Sequence, residues 1–191
     1  MPKRLLANLI AVTLIVGAFF GVTSIINLMA ATDEVTEQEF SFLKRTGDHH
    51  WGEKNWAEAA RYYKELAEKD DLNVGAHLAY AWNLSQQVSS DLRKRDPNSQ
   101  GKIVLSAETE AVVKQAIEAY EETLSSTQFR NISRVQLGWL HGLLGEIEVA
   151  VPYLVSALED GYLYRNLRTQ FVNQDVLSDP RVKAAIDAAH K

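Results

Sequence analysis

Residues 134–161 read RVQLGWLHGLLGEIEVAVPYLVSALEDG, and the way they fold decides the architecture of the whole chain. Leu137, Leu140 and Leu144, then Ala150, Leu154, Ala157 and Leu158, follow the spacing of three and four that gives a helix one apolar face. Gly138 and Ala150 carry almost no side chain, so the two helices of a hairpin can approach closely at these positions while the larger apolar residues face inward.

The pattern recurs. RTGDHHWGEKNWAEAARYYKELAEKD, residues 45–70, places Gly47, Ala59, Tyr63 and Leu66 at the spacings of Gly138, Ala150, Leu154 and Ala157. Between the two copies, HLAYAWNL supplies Tyr80 and Ala81, and KQAIEAYEETL supplies Ala116, Tyr120 and Thr123. Gly47 to Ala81 and Ala116 to Ala150 each span 34 residues. A single hairpin cannot bury its apolar face alone, so such units stack and share a quasi-linear core that needs a terminal cap.

These residues resemble the tetratricopeptide repeat, a helix–turn–helix unit of 34 residues. The resemblance covers about residues 40–160 and divides them into 40–73, 74–127 and 128–161. Leu137-Gly138, Gly145, Ala150 and Ala157 make the third copy the closest match. The first has Thr46 where a bulky apolar residue is usual, and the second carries 23 extra residues between Ala81 and Ala116. That insertion, 86–107, holds the turn-formers Pro97, Asn98, Ser99 and Gly101 beside Arg93, Lys94, Arg95 and Lys102. It reads as a solvated basic loop, with partner docking or contact with anionic headgroups as the alternatives.

The resemblance implies an all-α array that binds a protein or peptide. It also implies a concave inner surface lined by first-helix residues near the small positions. Lys44, Asp48, Trp51, Leu78, Trp82, Val135, Trp139 and Leu143 are the groove residues on this reading. Tryptophan is enriched at binding hot spots, and an aromatic groove suits an extended or helical peptide. In the competing arrangement the insertion or the cap folds back over these rings. Residues 162–191 read as two capping helices: an aromatic-rich pattern through Tyr162, Leu163, Tyr164, Leu167 and Phe171, then Ser178 or Asp179 as N-cap with Pro180 at the first helical position.

Ahead of the array, Leu5 to Ala31 is 27 residues without a charge. As a helix this stretch reaches about 40 Å, beyond the roughly 30 Å hydrocarbon core of a bilayer. Lys3 and Arg4 precede it, and Asp33, Glu34, Glu37 and Glu39 follow it. The charge bias predicts a single-pass signal-anchor: residues 1–4 cytoplasmic, 5–31 in the bilayer, 32–39 an acidic linker, and the remainder on the exported, periplasmic-type side. A cleavable signal peptide is the alternative, but signal h-regions run only about 7–15 apolar residues. Gly17 and Gly21 form one GxxxG, which can pair membrane helices.

Net charge is −5, and removing the +2 of Lys3 and Arg4 leaves −7 on residues 32–191. That balance argues against nucleic acid, whose phosphates demand cations. The absence of cysteine excludes disulfides, thiolate zinc sites and thiol nucleophiles. DHHWGEKNW, residues 48–56, has the letters of a metal or acid–base site. Yet His49 and His50 are adjacent and diverge by about 100° on a helix, and His50 with Glu53 supplies only two ligands. His50 and His141 both lie three residues after a small-position glycine, which is a packing position. No GxSxG elbow or phosphate-binding glycine loop appears. The expectation is therefore no catalytic residue, cofactor or metal, and a membrane-anchored scaffold or adaptor. The alternative is a permanent accessory subunit of a larger membrane complex, and either role permits a homo-oligomer or hetero-complex.

Overall fold

The computed structural model describes residues 36–94, 103–162 and 174–189. The apolar stretch 5–31, the core of the insertion, 95–102, and the aromatic-rich capping segment through Leu163, Tyr164, Leu167 and Phe171 lie outside these residues. Among the described residues every regular element is helical, and no helix is long and apolar enough to cross a membrane. The chain divides into Met1–Phe42 and Leu43–Lys191. Of the first unit only 36–42 is described, and it is helical.

Helix α1 runs over 36–52. It is followed by α2 (Trp56–Lys69), α3 (Val74–Lys94), α4 (Ala107–Glu121), α5 (Arg130–Leu144), α6 (Ile147–Glu159), α7 (Gln174–Ser178) and α8 (Pro180–Ala189). Consecutive helices pack on one another from α2 to α6, and α7 and α8 lie against α6. Local chemistry sets the boundaries. The Asn73 side chain accepts from Ala76 N–H at the start of α3, and the Ser106 hydroxyl accepts from Thr109 N–H at the start of α4. Both are the oxygen caps that helix N-termini favour.

The hairpin turns at 53–55 and 145–146 have the same geometry. Gly145 N–H donates to Gly142 O and Glu146 N–H to His141 O; Lys54 N–H donates to Trp51 O and Asn55 N–H to His50 O. This paired pattern requires a left-handed residue after the helix. Gly145 holds it at φ 78°, and Lys54 holds it at φ 60°. Glycine has no Cβ penalty there, whereas lysine does. Lys54→Gly is therefore expected to stabilise the chain by about 0.5 kcal/mol, and Gly145→Lys to destabilise it by about 1 kcal/mol. Opposite shifts in thermal midpoint would check this pair, and shifts of the same sign would refute it.

Close approach within the hairpins rests on the small residues. A Cβ added to Gly138 would sit 2.7 Å from both Cγ and Cδ2 of Leu154 and 3.2 Å from the Ala150 carbonyl. At Gly47 the added atom would meet the Tyr63 ring at 3.1 Å. The core then runs along the array through Ala81, Val113, Tyr120, Leu137, Leu140 and Leu158, with Val176 and Val182 closing it from α7 and α8. Burying each large apolar side chain contributes about 1.5–3 kcal/mol.

The segment read as a loop from residue 86 begins as helix: α3 continues to Lys94. Leu84 and Val88 are buried, and Leu92 packs against the same core. An apolar stripe of three residues spaced four apart thus carries the helix through the polar Ser85-Gln86-Gln87 and Ser89-Ser90 segments. At the far end Asp179 Oδ1 accepts from Arg181 N–H, and the Arg181 guanidinium meets both Glu148 carboxylate oxygens at 3.0 Å. Arg181 and Glu148 are exposed, so their ion pair contributes little beside the burial of Val182.

Candidate interaction surface

Lys44, Asp48 and Trp51 occupy positions i, i+4 and i+7 on α1, so they form one row. All three are exposed, Trp51 by 50%. Asp48 organises the row. Its Oδ2 accepts from Lys44 Nζ at 2.7 Å, and its Oδ1 accepts from the Tyr63 hydroxyl of α2. Burial acts to raise the Asp48 carboxyl, but hydrogen bonds from Lys44 and Tyr63 together with the Lys44 charge hold it below the usual carboxylate range. Burial first, and Asp48 second, push the Tyr63 phenol far up, so it remains a donor.

The sign of the resulting pH dependence follows. A depressed folded pKa gives stability that is fully present above the unfolded value of about 3.9 and lost as pH falls through the folded value. The stability difference between the native chain and Asp48→Asn should be constant near neutrality and shrink under acid. Denaturant midpoints measured from pH 2 to 7 would show it, and a difference that widens toward low pH would contradict it.

The other groove residues divide by helix. Leu78 and Trp82 on α3 are half-buried. Val135, Trp139 and Leu143 on α5 are core, at 0%, 5% and 6% exposure. Their reading as open groove lining is corrected accordingly: every residue from Val135 to Leu143 is buried. Leu137 and Leu140 as well as Val135, Trp139 and Leu143 are enclosed, so both apolar sides of α5 are covered. Of these eight residues, Lys44, Asp48 and Trp51 are the exposed ones.

The histidine-rich turn resolves into packing contacts. His50 stacks on Tyr62 with ring centres 5.5 Å apart at 11°, and His141 stacks on Tyr153 at 5.8 Å and 9°. His141 Nδ1 also pairs with Glu146 at 2.6 Å. His49 Nε2 lies 3.5 Å from Glu53, and His50 Nδ1 lies 4.0 Å from it. Among the described residues no three His, Asp or Glu side chains converge as a metal site would require. Asn83-Leu84-Ser85 matches the glycosylation tripeptide, but Asn83 is 1% exposed, so a folded chain cannot present it to a glycosyltransferase.

One site was not read from the sequence. Arg130 and Arg134 share a face of α5, and together with Leu124, Pro152, Tyr153 and Ser156 they line a cavity of about 330 Å³. The i, i+4 arginine pair in an acidic chain was the available signal. The α6 residues opposite it were not.

No protein-family model, no curated protein and no solved structure matches the chain. Among the described residues the geometry is helical hairpins in series, with the row of Lys44, Asp48 and Trp51 exposed.

Proposed function

We propose that the chain is a membrane-anchored adaptor of the tetratricopeptide type, holding a protein or peptide partner on the exported side of a membrane. One observation carries this reading: the α1–α2 and α5–α6 hairpins place equivalent packing positions at an offset of 91. Gly47 and Gly138 make the close approach, His50–Tyr62 and His141–Tyr153 stack, and Lys54 and Gly145 take the left-handed turn. Stacked equivalent hairpins present extended surfaces suited to partner binding. The exposed row of Lys44, Asp48 and Trp51 provides one, with the ring a hot-spot residue and the carboxylate already oriented. The uncharged stretch 5–31 supports the anchor, and tethering raises the local concentration of the row near membrane partners.

The test is photo-crosslinking in intact membranes. A photoreactive amino acid in place of Trp51 or Lys44 is expected to give discrete adducts, while one in place of exposed Lys64 on α2 gives none. Equal yields from all three positions would refute the reading. Detergent extraction followed by size analysis then separates an adaptor, found partly free, from a permanent subunit that is never free.

A further inference from the structure

We propose that the cavity between the α4–α5 turn, α5 and α6 binds a small organic monocarboxylate, its carboxylate on Arg130 and its apolar body against Leu124, Pro152 and Tyr153. The site is of a different kind from the α1 row and lies on a different hairpin. It goes beyond the adaptor reading and does not depend on it.

Charge is the first support. The two arginines lie one helical turn apart, where like charges repel. Arg134 is neutralised: its Nη1 donates to Asp160 Oδ2 at 2.5 Å, with the Ser156 carbonyl at 3.4 Å and Asn131 Oδ1 at 3.3 Å. Arg130 is not. Its Nε donates to the Leu124 carbonyl at 3.0 Å and its Nη2 to the Ser125 carbonyl at 3.5 Å. Among the described residues no ion pair joins it to a carboxylate. Two carbonyls fix the plane of the guanidinium without cancelling its charge. A planar fork held in place with donors remaining is the arrangement that recognises carboxylates.

The walls select the rest of the ligand. About 330 Å³ is at the lower end of small-molecule pockets, and its lining combines apolar surface with a few polar groups. Burial, and then the nearby charge of Glu121, push the Tyr153 phenol above its ordinary range, so at neutral pH it remains an O–H donor at the cavity wall. With Asp160 paired to Arg134, Arg130 is the positive charge left at the cavity, and Glu121 near Tyr153 stands against a second negative charge on the ligand. The site matches a monoanion and leaves a phosphate dianion half unmatched.

The experiment uses the full chain in lipid nanodiscs, with empty nanodiscs subtracted, and follows 4-fluorobenzoate by fluorine NMR line broadening. Saturable binding with a Kd of about 1 mM is expected, at least tenfold tighter than for the uncharged 4-fluorobenzamide. Arg130→Gln should weaken it at least tenfold. Because Arg130 also ties down the α4–α5 turn, Arg130→Lys is measured beside it; this variant keeps the charge, loses the fork and should weaken binding severalfold. Equal binding of the amide would show only an apolar cavity and overturn the proposal. Displacement by inorganic phosphate at equal concentration would overturn it, as would variants that bind like the native chain. None of these outcomes touches the crosslinks from position 51, so the two readings fail separately.

Discussion

Leu154→Ala should destabilise the chain by about 2–5 kcal/mol, the range for truncating a fully buried leucine whose surroundings close only in part. Leu154 is 0% exposed, and its Cγ and Cδ2 lie against the α-carbon of Gly138 across the hairpin. Removing it leaves the close approach of α5 and α6 at Gly138 without a filler. For a unit of this size each 1 kcal/mol lowers the thermal midpoint by roughly 2–4 °C, so a loss near 10 °C is expected. A loss below 2 °C would show that α5 and α6 re-close over the gap.

Gly138→Ala tests the same contact from the other side. In an exposed helix this change would stabilise by about 1 kcal/mol. Here the new Cβ would lie 2.7 Å from Leu154 and 3.2 Å from the Ala150 carbonyl. Overpacking of this kind costs about 1–3 kcal/mol, and the backbone oxygen cannot rotate away, so net destabilisation of about 2 kcal/mol is expected. The double variant is the sharper test. With Leu154 shortened to alanine, the atoms that clash at 2.7 Å are gone, and the added methyl fills part of the space they leave. The two costs should fall short of additivity by about 1 kcal/mol or more. Additive losses in calorimetry would mean that the Ala150 carbonyl alone sets the penalty.

The hairpin geometry was legible because its causes are local. Small residues twelve apart and an apolar rhythm of three and four state where two helices touch, and Gly138 against Ala150 and Leu154 is that contact. The length of α3 was partly hidden. The stripe Leu84, Val88, Leu92 was present, but polar neighbours and the turn-formers downstream outweighed it in the reading. Of the eight groove residues, Lys44, Asp48 and Trp51 stand in the open while Val135, Trp139 and Leu143 are core. Nothing within α5 separates its two apolar faces, because the same tryptophan after a small residue serves either setting.

By itself the sequence determined the helical class, the close approach of two helices at Gly138 and Ala150, and the shared register of His50 and His141 three residues after a glycine. Each follows from spacing along one helix or across one short turn. The tertiary structure alone decided which of the groove tryptophans is exposed, which of the two α5 arginines pairs with a carboxylate among the described residues, and that Leu124, Arg130 and Tyr153 share a cavity. Burial and charge pairing depend on neighbours brought together from distant parts of the chain. Arg134 meets Asp160 from 26 residues away, and Arg130, one turn earlier on the same helix, does not. Periodicity places both arginines on one face; only the packing of α6 against α5 distinguishes them.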